Sequence, residues 1–97
     1  MGSNVQEFEG KRLRYINIFV LLGRDEDLGG VVKVVEGITR ERGCEYTIKR
    51  SFLGNFYYIK ISCRSADLED LRNKIELELG KLVDTISWFK TEVIEVK

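Results

Sequence analysis

Tyr15-Ile16-Asn17-Ile18-Phe19-Val20-Leu21-Leu22 is the stretch whose period decides the fold. Its even positions Ile16, Ile18, Val20 and Leu22 are all aliphatic, and a β-rich run closed by Gly23 reads as a strand with those side chains on one face. The other face carries Tyr15, Asn17, Phe19 and Leu21. Residues 24–30 form a charged segment ending in Gly29 and Gly30, which reads as a loop. Val31, Val34, Val35 and Ile38 then follow at helical spacing, and Gly43 stands where a left-handed residue closes a helix.

Further along, Tyr46 and Ile48 alternate with Glu45, Thr47 and Lys49, and Leu53-Gly54-Asn55 supplies turn chemistry before a second β-rich run over residues 56–63. This pair reads as a hairpin. Ser65 or Asp67 offers a cap for a second helix whose Leu68, Leu71, Ile75, Leu79 and Leu82 recur at steps of three and four. Residues 85–89 read as a last strand, and residues 92–97 either continue it or form another. The order β-α-β-β-α-β, closed by right-handed crossovers and short connections, predicts a ferredoxin-like α+β sandwich with a four-stranded antiparallel sheet and both helices on one face. Residues 15–97 would make this single domain. Residues 1–14 read as a polar tail, and Met1-Gly2-Ser3 is compatible with an expression remnant.

Composition bounds the function. A chain of 97 residues supports one core, and 43% apolar residues suffice to build it. Sixteen Lys and Arg balance sixteen Asp and Glu, so no net positive field gathers nucleic-acid phosphates. The longest uncharged stretch, residues 15–23, is far short of the roughly 20 residues that span a bilayer, which predicts a soluble, cytoplasmic protein without a membrane partner. Histidine is absent, which removes the commonest general base. Cys44 and Cys63 lack paired metal or redox spacing, so both read as reduced packing residues and no metal or cofactor is expected.

In the predicted topology strands one and three are central. Tyr57, Ile59, Ile61 and Cys63 then face the helices, which leaves Phe56, Tyr58, Lys60 and Ser62 on the open side beside Phe19 and Tyr15. Such a patch usually marks an interaction site, so Phe19, Phe56 and Tyr58 are the expected partner interface. Trp88 is expected in the core or at that interface. RNA-recognition modules share this topology and stack bases on central-strand aromatics, which makes single-stranded RNA binding the alternative function. Here Gly54-Asn55-Phe56-Tyr57-Tyr58-Ile59 lacks the leading basic residue and the small residue between aromatics of that signature. A purely structural assembly subunit is the third reading.

Residues 30–43, from Gly30 through Gly37 to Arg42-Gly43, resemble the first helix of an ACT domain, a small-molecule regulatory module, and most resemble the regulatory small subunit of acetolactate synthase. Leu79-Gly80-Lys81-Leu82-Val83-Asp84 is similar to the Leu-x-Lys-Leu-Val-Asp stretch of that subfamily, in a short form with a single ACT unit. The usual Asn-x-Pro-Gly before the helix stands here as Asp27-Leu28-Gly29-Gly30, and the Asn that follows the helix in valine-sensitive members stands as Glu45. The resemblance implies a non-catalytic regulatory protein of amino-acid metabolism, possessing an amino-acid-like effector, a catalytic subunit such as acetolactate synthase, or both as partners.

The expected ligand site is Asp25, Glu26, Asp27, Leu28, Gly29, Gly30 and Val31 with Glu45. Glycines at a helix start let backbone N–H groups approach an anion where the dipole is positive, while the three acids repel a carboxylate and suit an amino group. A capped helix start with solvated acids is the competing reading. Opposite charges on helix two, such as Asp70 with Lys74, are expected to serve local stability. A homodimer is expected because the strand at residues 44–51 would leave an unpaired edge.

Overall fold

The computed structural model describes residues 13–52, 54–64 and 66–96. The expected tail over residues 1–12, the turn residue Leu53, the alternative cap Ser65 and Lys97 lie outside the described residues. Strand β1 (Leu13–Leu22) is followed by a 3-10 turn (Asp25–Asp27), helix α1 (Leu28–Arg42), strands β2 (Glu45–Arg50) and β3 (Phe56–Ser62), helix α2 (Leu68–Gly80) and strand β4 (Ile86–Val96). The sheet order is β2-β3-β1-β4, with each neighbouring pair antiparallel. This is the ferredoxin-like arrangement.

Alternation in β1 does what its sequence requires. Ile16, Ile18, Val20 and Leu22 are buried against Val31, Val35 and Ile38 of α1 and Leu71, Ile75 and Leu79 of α2, with Tyr57, Ile59 and Ile61 of β3 completing the core. Each fully buried aliphatic contributes roughly 1.5–3 kcal/mol relative to exposure. Gly43 closes α1 in the left-handed region at φ 69°, where its N–H donates to the Arg40 carbonyl and Cys44 N–H donates to the Thr39 carbonyl. Asp67 caps α2 by accepting from the Glu69 and Asp70 N–H groups.

Several boundaries move. β1 begins at Leu13 rather than Tyr15, because the long β4 gives partners to Leu13 (Val96) and Arg14 (Glu95). Arg14 therefore belongs to the domain and not to a tail: its guanidinium donates to the Arg64 and Ala66 carbonyls at 3.2 and 2.8 Å and pairs with Glu95 at 3.1 Å. The expected loop over residues 24–30 is instead a 3-10 turn running into α1 at Leu28, so Gly29 and Gly30 lie inside the first helical turn. β4 starts at Ile86, with Thr85 in the preceding turn, and runs unbroken through Glu92 as one of the two outcomes read from the sequence.

Two pairings also differ from expectation. Asp70 reaches across to Arg42 at 2.7 Å, while Lys74 pairs with Glu78 at 3.6 Å. The end of α1 lies beside the start of α2, where both helix dipoles favour that charge arrangement. Cys44 and Cys63 are not reduced packing residues: they form a disulfide. The β2–β3 register pairs Glu45 with Ser62, so these cysteines face each other one step beyond, with Cα atoms 4.5 Å apart as in the closer kind of antiparallel pair.

Candidate functional site

The face of the sheet away from the helices is built by the same alternation that fills the core. Register places its side chains in four rows that run across the strands. At the end near the 3-10 turn, Phe56, Leu21 and Trp88 stand abreast. Next come Lys49, Tyr58, Phe19 and Lys90, then Thr47, Lys60, Asn17 and Glu92. The far row is Glu45, Ser62, Tyr15 and Ile94.

Aromatic contacts knit this face together. The Phe19 and Tyr58 rings lie 5.3 Å apart, and Phe56 stacks towards Trp88 across Leu21 at 6.5 Å. Offset and tilted ring pairs of this kind contribute about 0.5–1.5 kcal/mol beyond their buried area. The Tyr58 hydroxyl donates to Asn17 Oδ1 at 2.6 Å, and the Lys60 ammonium sits 4.3 Å over the Tyr15 ring. Lys90 pairs with Glu92 at 3.6 Å. Trp88 is nevertheless 49% exposed, and no described element crosses the face. The expected interface residues Phe19, Phe56 and Tyr58 are thus brought together, joined by Leu21 and Trp88. Leu21 was already legible on the odd face of β1, whereas Trp88 needed the β4 register.

Seven of the expected ligand residues lie together, and Glu45 does not join them. Asp25, Glu26, Asp27, Leu28, Gly29, Gly30 and Val31 sit where α1 begins, whereas Glu45 sits beyond its other end. Fifteen helical residues separate them by about 22 Å at 1.5 Å per residue. The acids already have partners: Asp25 takes Arg50 at 2.9 Å and the Tyr57 hydroxyl, and Arg24 takes Glu26 and Asp27 at 3.3 and 3.6 Å. Val31 is buried in the core. A Cβ at Gly29 or Gly30 would meet no atom within 4 Å, so local packing does not demand glycine there.

Glu45 lines two other hollows. One of about 370 Å³ lies between Gly43, Glu45, Ser62, Cys63 and Arg64 beside the disulfide. The other, of about 210 Å³, adds Tyr46, Thr47 and Lys60. Among the described residues, no three His, Cys, Asp or Glu side chains group as a metal would require.

Two phenols on the third strand are tuned by their surroundings. The bond to Asp25, then burial and the Asp25 charge, raise the Tyr57 pKa above its ordinary value against the opposing pull of Arg50. Burial raises that of Tyr58, with the Tyr15 and Glu92 charges adding to it. Because the fold holds both protons more tightly than the unfolded chain does, this stabilisation is complete below the ordinary phenol pKa of about 10 and is lost as pH climbs through the raised values. An absorbance titration of phenolate should therefore run later for the native chain than for the chain in urea; superposable curves would contradict the Asp25 bond to Tyr57 and the burial of Tyr58.

No protein-family model and no curated protein matches the chain. Solved structures do. A conserved protein of unknown function from Bacteroides thetaiotaomicron, described as a possible oxidoreductase, superposes with TM-score 0.64 at 18% identity over 86% of this chain and 96% of its own. The chain shares its fold. A protein of Shewanella oneidensis follows at TM-score 0.60 and 15% identity, covering 86% of this chain and 90% of that one. A dimeric ferredoxin-like protein from an uncultured marine organism gives TM-score 0.59 and 11% identity, with 88% and 89% covered. No helix among the described residues is long and apolar enough to cross a membrane.

Proposed function

We propose that this protein is a non-catalytic regulatory module that works by protein–protein association through the open face of its sheet. One observation carries the reading: Phe19, Tyr58, Phe56, Leu21 and Trp88 form a continuous apolar surface on the side of the sheet that no described element covers. Large rings set side by side on a rigid sheet have the composition of association hot spots. The ACT-like resemblance supplies the context, a regulatory chain of amino-acid metabolism that responds to an amino-acid-like effector and engages a catalytic subunit, with acetolactate synthase the enzyme in view. An effector ammonium at the start of α1 would have to displace Arg24 and Arg50 from the acids there, so the sheet face is the stronger support.

Single-stranded RNA is the competing occupant, favoured by the three lysines set among these rings. Two of them are engaged: Lys60 lies on Tyr15 and Lys90 is paired with Glu92. Phe56→Ala should weaken association by about 1–3 kcal/mol, the range for a hot-spot aromatic, and leave the circular dichroism of the chain unchanged. Sedimentation across a concentration series reads the effect. RNA binding would instead appear in a fluorescence titration with mixed single-stranded oligonucleotides as micromolar, Phe56-dependent affinity at physiological salt, and that result would overturn the reading.

A further inference from the structure

We propose that the occupant of the open face is a second copy of this chain, related by a two-fold axis that lies in the interface and runs across the strands. This rests on the preceding reading of the face as an association surface and states what fills it. The face spans four strands and about seven paired residues. At strand and residue spacings of about 4.8 and 3.4 Å it measures roughly 20 by 24 Å, a flat footprint of about 480 Å² before side-chain relief is counted, beside the roughly 800 Å² per partner of a standard interface.

Charge placement selects both the partner and the axis. A two-fold across the strands turns each row onto a different row of the partner, first onto fourth and second onto third. Lys90 then meets the partner's Glu92 and Glu92 meets the partner's Lys90, which joins two internal pairs into a closed cluster of four alternating charges. Trp88 falls on the partner's Ile94 and Leu21 on the partner's Tyr15. The partner's Lys60 reaches the Tyr58 ring. Facing sheets are rotated by about 30°, a displacement within reach of Lys and Glu side chains at the sheet edge.

The alternative two-fold, along the strands, lays each row on its own reverse. It sets Lys49 against the partner's Lys90 twice and presses Glu45 onto the partner's Ile94. Like charges facing across an interface and a desolvated carboxylate on a hydrocarbon surface both oppose association. The charges of β4 are complementary about one axis, and like charges meet about the other.

A charge exchange on the full chain tests this. The wild type should sediment as a dimer at twice 11.3 kDa, and quencher access to Trp88, the single tryptophan, should fall as concentration rises. Lys90→Glu and Glu92→Lys should each weaken the dimer about tenfold or more. Mixed in equal amounts they should regain wild-type affinity as a heterodimer, since each then supplies the charge that the other lacks; that recovery also shows that both variants fold. A monomeric wild type overturns the proposal. So does a Lys90→Glu variant that dimerises more tightly, the signature of the axis along the strands, or a mixture that regains nothing. If the mixture fails while Phe56→Ala still weakens the dimer, the association face stands and this two-fold falls. If Phe56→Ala leaves the dimer intact, the face itself is wrong.

Discussion

Leu71→Ala should lower the free energy of unfolding by about 2–5 kcal/mol, the range for deleting most of a buried leucine and leaving a cavity behind. Leu71 is fully buried on the inner side of α2, in the layer that Ile16, Ile18 and Ile59 present from the sheet. Neighbours held on a hydrogen-bonded sheet cannot close the gap. A domain of this size has about 5–15 kcal/mol in total, so the substitution removes a large share of it. Leu77 is the control, because it lies on the outer side of the same helix at 59% exposure. Leu77→Ala should stay within about 0.5 kcal/mol. Urea unfolding of the two variants decides the matter, and equal losses would mean that α2 packs by another face.

Reducing the disulfide should cost about 3 kcal/mol. Cys44 and Cys63 are 19 positions apart, and the chain-entropy estimate for a loop of that length gives about 3 kcal/mol of destabilisation of the unfolded state. The bond also pins the start of β2, which among the described residues is an edge strand paired with β3. Urea midpoints measured with and without a dithiol should therefore differ, whereas a Cys44→Ser, Cys63→Ser double variant should show the lower midpoint under both conditions. No shift on reduction would remove the bond from the account of stability. Disulfides persist mainly in oxidising compartments, so the cytoplasmic expectation and this bond pull in opposite directions, and a reducing cytosol would hold the weaker form.

The architecture was legible because its signals are local. Alternation in residues 15–22, the glycine after Arg42 and the Leu-Leu-Ile-Leu steps of α2 each act within one element, and together they leave one simple closure. The aromatic face followed from the same period of two. What escaped depends on register between elements distant in sequence. The Cys44–Cys63 bond needs the hairpin loop to be of one length, since a slip of one residue on either strand would send the sulfurs to opposite faces. Trp88 needed the register of β4 on β1, which sets it opposite Leu21 on the open face. Arg14 was hidden because nothing local marks a residue whose partners are Arg64, Ala66 and Glu95. At the start of α1, composition suggested a ligand where the fold supplies Arg24, Arg50 and Tyr57 as counterparts.

β1 lies between β3 and β4, and its ten residues all find partners on β4, from Leu13 opposite Val96 to Leu22 opposite Ile86. During synthesis the strand made first must therefore wait for the one made last. At roughly 5–20 residues per second, the chain from the end of β1 to the end of β4 takes about 4–15 s to add, and over that interval one flank of β1 has no neighbour on β4. That flank borders a β-rich segment that is apolar on one side and, save for Asn17, largely so on the other, a composition that templates pairing between nascent chains. A chain stalled or clipped before Ile86 is thus predisposed to aggregate, and holding newly made chains apart for that interval matters more for this protein than for one whose central strand is completed early.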